Sequence, residues 1–224
     1  MSKKAIILFS GGLDSTTCLA IAKSQGFACV TLSFLYGQKH QVEIDHAKEI
    51  AKRFGVIEHK ILSLPLDQIG GSSLIDAHLS IPDHDGLGAI PNTYVPARNT
   101  IFLSFALAMA EVVQANHIFI GANDIDYAGY PDCRPEYLSA FEKMAVLATK
   151  VGVEGQQIKI IAPLLYKTKA EVIQEGLRLG IDYSKTISCY RANSHGHACG
   201  TCDSCAYRKK GFLEVGIPDP TIYY

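Results

Sequence analysis

Short apolar runs alternate with amphipathic stretches through the first sixty residues of the chain. Residues 4–9 are apolar from Ala5 onward, the pattern of a strand buried on both faces. Residues 13–25 predict a helix, and Gly26 is its stop. Residues 28–35 are rich in β-formers and predict a second strand, followed by the polar turn 36–40. In the next stretch Ala47, Ile50, Ala51 and Phe54 share one helical face. Lys48, Glu49, Lys52 and Arg53 mark the wet face, and Gly55 ends the helix. A third strand over 56–62 completes a β-α-β-α-β unit, which predicts a parallel sheet covered by helices. The rhythm resumes later with an apolar helix over 100–114, a strand over 117–120, a helix over 137–150, a strand over 158–162 and a helix over 169–179 before Gly180. The expected class is α/β with a Rossmann-like parallel sheet. Its ligand belongs outside the carboxyl ends of the strands.

Residues 63–94 interrupt the alternation with Gly70-Gly71-Ser72-Ser73, Pro82 to Gly86, and Pro91. A connection this long is usually functional. It is open to three readings: a cover over a ligand, a contact with another subunit, or a solvated excursion.

Composition narrows the class rather than the chemistry. The chain has 224 residues, 48% hydrophobic and 19% charged, an ordinary globular balance. A formal net charge of −1 gives no global attraction to nucleic acid or anionic lipid. The apolar stretch 101–113 is too short to span a bilayer and carries Glu111. Lys3-Lys4 and the apolar run after them lack the length and cleavage site of a secretory signal. These features predict a cytoplasmic protein without membrane partners.

Candidate chemistry begins at residues 10–15, Ser-Gly-Gly-Leu-Asp-Ser, between the first strand and the first helix. A helix opening there points free N–H groups and a positive dipole end into the turn. Two glycines admit a phosphate close to the backbone, and two serines add hydroxyl donors. The plainer alternative is a strand-to-helix turn with Ser or Asp as N-cap. No lysine occurs between Lys4 and Lys23, so this is not a Walker loop, and the dinucleotide glycine spacing is absent. Arg98 precedes the apolar helix, which Asn99 or Thr100 is expected to cap, and is placed for an anion or simply for solvent. Lys167 and Lys169 stand where a strand gives way to a helix and are further phosphate candidates.

The segment 121–137 packs Asp124, Asp126, Tyr127, Tyr130, Asp132, Cys133 and Tyr137 after a strand. Carboxylates beside aromatic faces suit a planar hydrogen-bonding heterocycle, and a tyrosine-rich subunit contact is the alternative. Near the C-terminus Cys189, Cys199, Cys202 and Cys205 are spaced C-x9-C-x2-C-x2-C. Four thiolates can close a tetrahedral metal site with no open position. Zinc is the expected metal, and an iron–sulfur cluster is the rival. His195 and His197 are possible substitutes for one thiolate. Arg208, Lys209 and Lys210 would offset the charge of the centre. The expected division is a nucleotide-binding unit over 1–185 and a zinc-binding segment over 186–224, too short to bury a core of its own.

With SGGLDS at 10–15, YGQKH at 36–40, VPARN at 95–99, GANDIDYAGYPDCRPEY at 121–137 and the four cysteines, the chain resembles the 7-cyano-7-deazaguanine synthase family over nearly its whole length. The first motif is shared by many pyrophosphate-loop ATP pyrophosphatases. The Asp/Tyr segment combined with the cysteine spacing is far more specific. The resemblance implies an adenine nucleotide alpha hydrolase fold with a small C-terminal zinc-binding appendage. It also implies an ATP-dependent ligase that turns 7-carboxy-7-deazaguanine and ammonia into a nitrile, one structural zinc, Mg²⁺ with ATP, and a homodimer. ATP is then expected along Leu8, Phe9, Ser10, Gly11, Gly12, Leu13, Asp14, Ser15, Thr16, Thr17 and Cys18. Asp14, Arg98, Lys167 and Lys169 would serve the chemistry. Asp124, Asp126, Tyr127, Tyr130 and Asp132 would hold the deazaguanine. A tRNA-modifying pyrophosphate-loop enzyme would want a more basic surface, and a non-catalytic scaffold would bind ATP without turnover.

Overall fold

The computed structural model describes residues 3–39, 42–86, 90–123 and 130–224. Five strands form it: β1 (Lys4–Leu8), β2 (Ala28–Leu35), β3 (Glu58–Ser63), β4 (His117–Phe119) and β5 (Lys159–Ile161). All pair in parallel, in the order β3-β2-β1-β4-β5. The helices are α1 (Leu13–Ser24), α2 (Val42–Arg53), α3 (Arg98–Val113), α4 (Pro135–Ala148), α5 (Lys150–Val153), α6 (Lys169–Arg178) and α7 (Asp203–Val215).

The two faces of β1 divide the core. Ile6 and Leu8 pack with Leu103, Ala106 and Leu107 of α3 and Leu138 and Phe141 of α4. Ala5, Ile7 and Phe9 pack with Leu19 of α1, Ile50 of α2, Val172 and Ile173 of α6, and Phe212 of α7. Burial on both faces is why β1 reads as an unbroken apolar run. Chain direction across the sheet reverses between β1 and β4, and a crevice opens at such a switch point. Among the described residues no helix is long and apolar enough to cross a membrane.

The connection after β3 folds back onto the protein. Leu74, Ile75 and Ile81 are buried in the core, and Ser72 and Ser73 are fully enclosed. Further on, Asp83 pairs with Arg191 and accepts from Thr201 Oγ1 at 2.6 Å, while His84 meets Asp203 at 2.8 Å. The segment is therefore anchored in the core at Leu74, Ile75 and Ile81 and tied to the cysteine region at Asp83 and His84, with 77–80 and 82–86 exposed between and beyond these anchors.

The start of α3 departs from expectation. Neither Asn99 nor Thr100 caps it. The N-cap is Ala97, held in the left-handed region (φ 54°), and Arg98 is the first helical residue instead of lying outside. The capping acceptor comes from far away: Asp132 Oδ2 accepts from the Asn99 amide at 2.9 Å. Asn99 returns its side-chain amide to the Asp132 carbonyl (3.2 Å) and to Cys133 Sγ (3.3 Å).

Candidate active site and metal centre

A cavity of about 240 Å³ lies at the carboxyl ends of β1 and β4. Its floor is the turn from β1 into α1. Gly12 is the N-cap of α1 and offers no capping side chain. The turn is knitted by its own serines. Ser15 Oγ accepts from the Ser10 amide at 3.2 Å and donates to the Gly12 carbonyl at 3.2 Å, and Ser10 Oγ accepts from the Gly12 amide at 3.3 Å. The Leu13 amide donates to Ser188 Oγ at 3.2 Å. The amides of Asp14 and Ser15 find no acceptor among the described residues. Open donors at a helix N-terminus, beside a cavity, are a ready anion site.

Leu8, Phe9, Ser10, Gly12, Leu13, Asp14 and Ser15 all line the cavity, whereas Gly11, Thr16, Thr17 and Cys18 do not. Helical rotation turns the last three inward. Thr17 Oγ1 is bonded to the Leu13 carbonyl (2.9 Å) and Tyr183 Oη (2.7 Å). Cys18 is fully buried, and burial pushes its thiol far above the ordinary range. Gly11 acts from behind the loop. Its φ is +81°, and a Cβ there would sit 2.8 Å from the Ala47 nitrogen of α2. Gly11→Ala is expected to cost about 1–2 kcal/mol for the left-handed backbone alone, with the backbone clash added. Thermal unfolding should show a fall of about 5 °C or more.

Asp14 beside a polyphosphate would be repulsive if left alone. Here Asp14 Oδ1 accepts from Lys169 Nζ at 2.7 Å, and the Lys169 side chain is only 6% exposed. Lys169 does not itself line the cavity. Lys167 is also off it: its carbonyl accepts from Asn123 Nδ2 at 2.6 Å, and the pair fixes the end of the segment after β4.

A cation does line the cavity. Arg98 lines the cavity with its guanidinium 5.9 Å from the Tyr36 ring centroid. Burial opposes its charge, but Tyr36, Tyr130, Tyr190 and Asp132 around it outweigh that and hold it firmly protonated. Tyr130 also lines the cavity, donating to or accepting from Thr93 Oγ1 at 3.0 Å. Asp132 is buried and spent on the α3 cap, outside the lining. Asp124, Asp126 and Tyr127 lie outside the described residues. Cys133 is buried at the cavity edge, where its Sγ accepts from Asn99.

Glu43 is among the lining residues that the sequence pattern does not single out. Glu43, in the first turn of α2, accepts from Gln38 Nε2 at 2.9 Å through Oε1. Gln38 in turn accepts from the Tyr36 amide at 2.7 Å and donates to the Phe34 carbonyl at 3.1 Å. Burial pushes the Glu43 carboxyl up to about 7, against the pull of Gln38 and Arg98.

The four clustered cysteines adjoin the cavity through Cys189. Their sulfurs all lie within 4.8 Å of one another, and Cys199 and Cys205 are 4.0 Å apart. A tetrahedral Zn–S₄ centre with bonds near 2.3 Å has sulfurs about 3.8 Å apart, so the donor set fits zinc with a small closing movement. Backbone amides already point at the sulfurs: Arg191 and Cys199 amides donate to Cys189 Sγ (3.2 Å each) and Cys202 to Cys199 Sγ (3.4 Å). Hydrogen bonds within the cluster hold the Cys202 thiol well down and push the Cys189 and Cys205 thiols up. The expectation for Arg208 is corrected. It is buried and bound to Asp219 (3.0 Å), Thr186 Oγ1 (2.8 Å) and the Tyr183 carbonyl (3.0 Å). Arg191 is the cation beside Cys199, and its backbone amide donates to Cys189 Sγ. His195 and His197 stand outside the sulfur cluster. Cys189, Ser188 and Tyr190 line the cavity, so the metal segment is one of its walls.

The family profile described as queuosine biosynthesis protein QueC matches residues 4–216. The chain belongs to the QueC family. It is 61% identical over 221 residues to a 7-cyano-7-deazaguanine synthase of Coxiella burnetii, covering 99% of this chain and 98% of that one. A protein of the same description from Pseudomonas putida is 56% identical over 222 residues and 99% of each chain. Among solved structures, the chain is similar to an NMN synthetase from Francisella tularensis, with a TM-score of 0.52 and 18% identity over 97% of this chain and 78% of that one. It is also similar to a 4-thiouridine synthetase in complex with RNA and bound ATP, with a TM-score of 0.56 and 20% identity over 99% of this chain and 47% of that one. These two likenesses establish the fold, a Rossmann-like sheet of the adenine nucleotide alpha hydrolase type.

Proposed function

We propose that this chain is an ATP-dependent carbon–nitrogen ligase that converts 7-carboxy-7-deazaguanine and ammonia to 7-cyano-7-deazaguanine, releasing AMP and pyrophosphate. The observation that carries the reading is the cavity itself. The open amides of α1 and the guanidinium of Arg98 face one space at the sheet's switch point, in a chain of the QueC family.

A carboxylate is a poor electrophile and must be activated before ammonia attacks. Its attack on the α-phosphorus of ATP gives an acyl-adenylate and pyrophosphate. Ammonia then displaces AMP and leaves the amide. A second adenylation, at the amide oxygen, lets that oxygen depart with AMP as the nitrile forms. The protein's share is alignment and charge stabilisation. Ser10, Gly12 and the amides of Asp14 and Ser15 would hold the pyrophosphate, and Arg98 would neutralise charge in the same cavity. Asp14, with one oxygen on Lys169, has the other to offer to a Mg²⁺ accompanying ATP. Tyr130 presents an aromatic face to the deazaguanine. Cys189, Cys199, Cys202 and Cys205 would hold a zinc with no open position, whose role is to fix the wall that carries Ser188 and Tyr190. The reading includes a homodimer, supported by exposed apolar side chains at Phe105 and Val112 of α3 and Met144 and Leu147 of α4.

The pure protein is expected to form nitrile and AMP from ATP, Mg²⁺, ammonium and 7-carboxy-7-deazaguanine, followed by mass spectrometry. AMP with no deazaguanine product, or no turnover, overturns the proposal.

A further inference from the structure

Each nitrogen-transfer step needs a proton acceptor. When ammonia's lone pair forms the C–N bond to the adenylated carboxyl carbon, the C–O bond to AMP breaks and its electron pair leaves with the phosphate. The nitrogen must then lose a proton to become a neutral amide. In the second cycle the C–O bond to AMP again breaks, and the amide's two N–H protons are given up as the C≡N bond forms. A base is therefore needed at the same place in both cycles, close to the nucleotide and shielded from bulk water.

We propose that the Glu43 carboxylate is that proton acceptor. The inference rests on the ligase reading and deepens it. Glu43 lines the cavity shared with the α1 N-terminus, and its own backbone lies behind the phosphate loop, where the Glu43 carbonyl would be 3.0 Å from a Cβ on Gly11. Oε1 is held by Gln38, which is itself tied to Tyr36 and Phe34, so the carboxyl is oriented by a fixed turn. Oε2 accepts no hydrogen bond among the described residues and is left for a nitrogen in the cavity. The groups facing it are Arg98 from α3 and Tyr36 from the turn after β2, with Asp14 across the cavity. Lys39 also lines the cavity, with its ammonium donating to the Leu79 carbonyl. Burial raises Glu43 to about 7, close to the value at which a base is both available and strong enough at neutral pH. A carboxyl raised in this way is protonated and idle in acid and becomes competent as pH rises through about 7.

The test compares wild type with Glu43→Gln, which preserves shape and can still accept from Gln38, and with Glu43→Asp. Adenylation is read by carboxylate-dependent ATP–pyrophosphate exchange without ammonia. Amide and nitrile formation are read at constant free ammonia across pH. Glu43→Gln is expected to keep exchange and the substrate KM within about twofold while kcat falls by about 10²–10⁴. Its rate should lose the rise through neutral pH, and Glu43→Asp should recover part of it. Loss of exchange, a rise in KM for the deazaguanine with kcat kept, or an unchanged pH profile overturns the role. Wild-type protein that forms no nitrile overturns the ligase reading itself. Wild-type activity matched by Glu43→Gln overturns Glu43 alone.

Discussion

Cys202→Ser is expected to empty the metal site and abolish turnover. Elemental analysis of wild type should give one zinc per chain, and the variant should give little or none. Iron with visible charge-transfer absorption in the wild type would overturn zinc. In peptides that fold only with metal, zinc contributes about 10–16 kcal/mol, but the loss here should be several kcal/mol smaller. The segment has other anchors. Phe212 is buried among the helices packed on β1, Arg208 is locked to Asp219, and Asp83 and His84 tie the connection after β3 to Arg191 and Asp203. The variant should therefore keep its α/β circular dichroism and melt at a lower temperature. What it loses is the placement of residues 187–190. Ser188 holds the Leu13 amide at the mouth of the phosphate loop, so metal loss should reach ATP binding through that bond. Unchanged ATP affinity in a metal-free variant would show that the wall stands without its metal.

The sheet and most helices were legible because burial leaves a period in the chain. β1 is apolar throughout, and α2 shows a clean stripe of Ala47, Ile50 and Ala51. The turn from β1 into α1 was legible because its bonding is local, with serines that bond to atoms no more than five residues away. What escaped is whatever depends on distant partners. Glu43 looks like an ordinary acidic residue in a first helical turn, where it complements the dipole. Only its burial against the cavity wall, which outweighs the pull of Gln38 and Arg98, makes it unusual. Ser188 acts on an amide 175 residues earlier, and nothing in its neighbours signals it. Asp132 reads as a free carboxylate in a ligand-binding segment but is committed to the α3 cap. Arg208 reads as a counterion for the thiolates because it is near them in sequence, whereas the helix turns it toward Asp219.

Lys169→Met is expected to destabilise the protein by about 3–5 kcal/mol, the range for removing one partner of a buried ion pair. For a chain of this size that is a drop of about 6–20 °C in melting temperature. Methionine keeps the stem, which matters because α7 packs tightly on it: a Cβ on Gly211 would lie 2.6 Å from Lys169 Cγ. The loss should therefore be mainly electrostatic, an uncompensated Asp14 carboxylate in a largely enclosed site. The same unpaired charge would face the incoming polyphosphate and raise the KM for ATP by about tenfold or more, equivalent to roughly 1.4 kcal/mol. Adding Asp14→Asn removes that charge. The double variant should be more stable than Lys169→Met alone, and the coupling in the double-mutant cycle should exceed ~1 kcal/mol. The cycle also separates two roles for the lysine. If Lys169 acts by neutralising Asp14, ATP affinity returns in the double variant while turnover stays low for want of the Asp14 carboxylate. If its ammonium swings to the phosphate during adenylation, affinity stays weak in both. The structure favours the first outcome, because Lys169 is buried behind Asp14 and only Asp14 reaches the cavity.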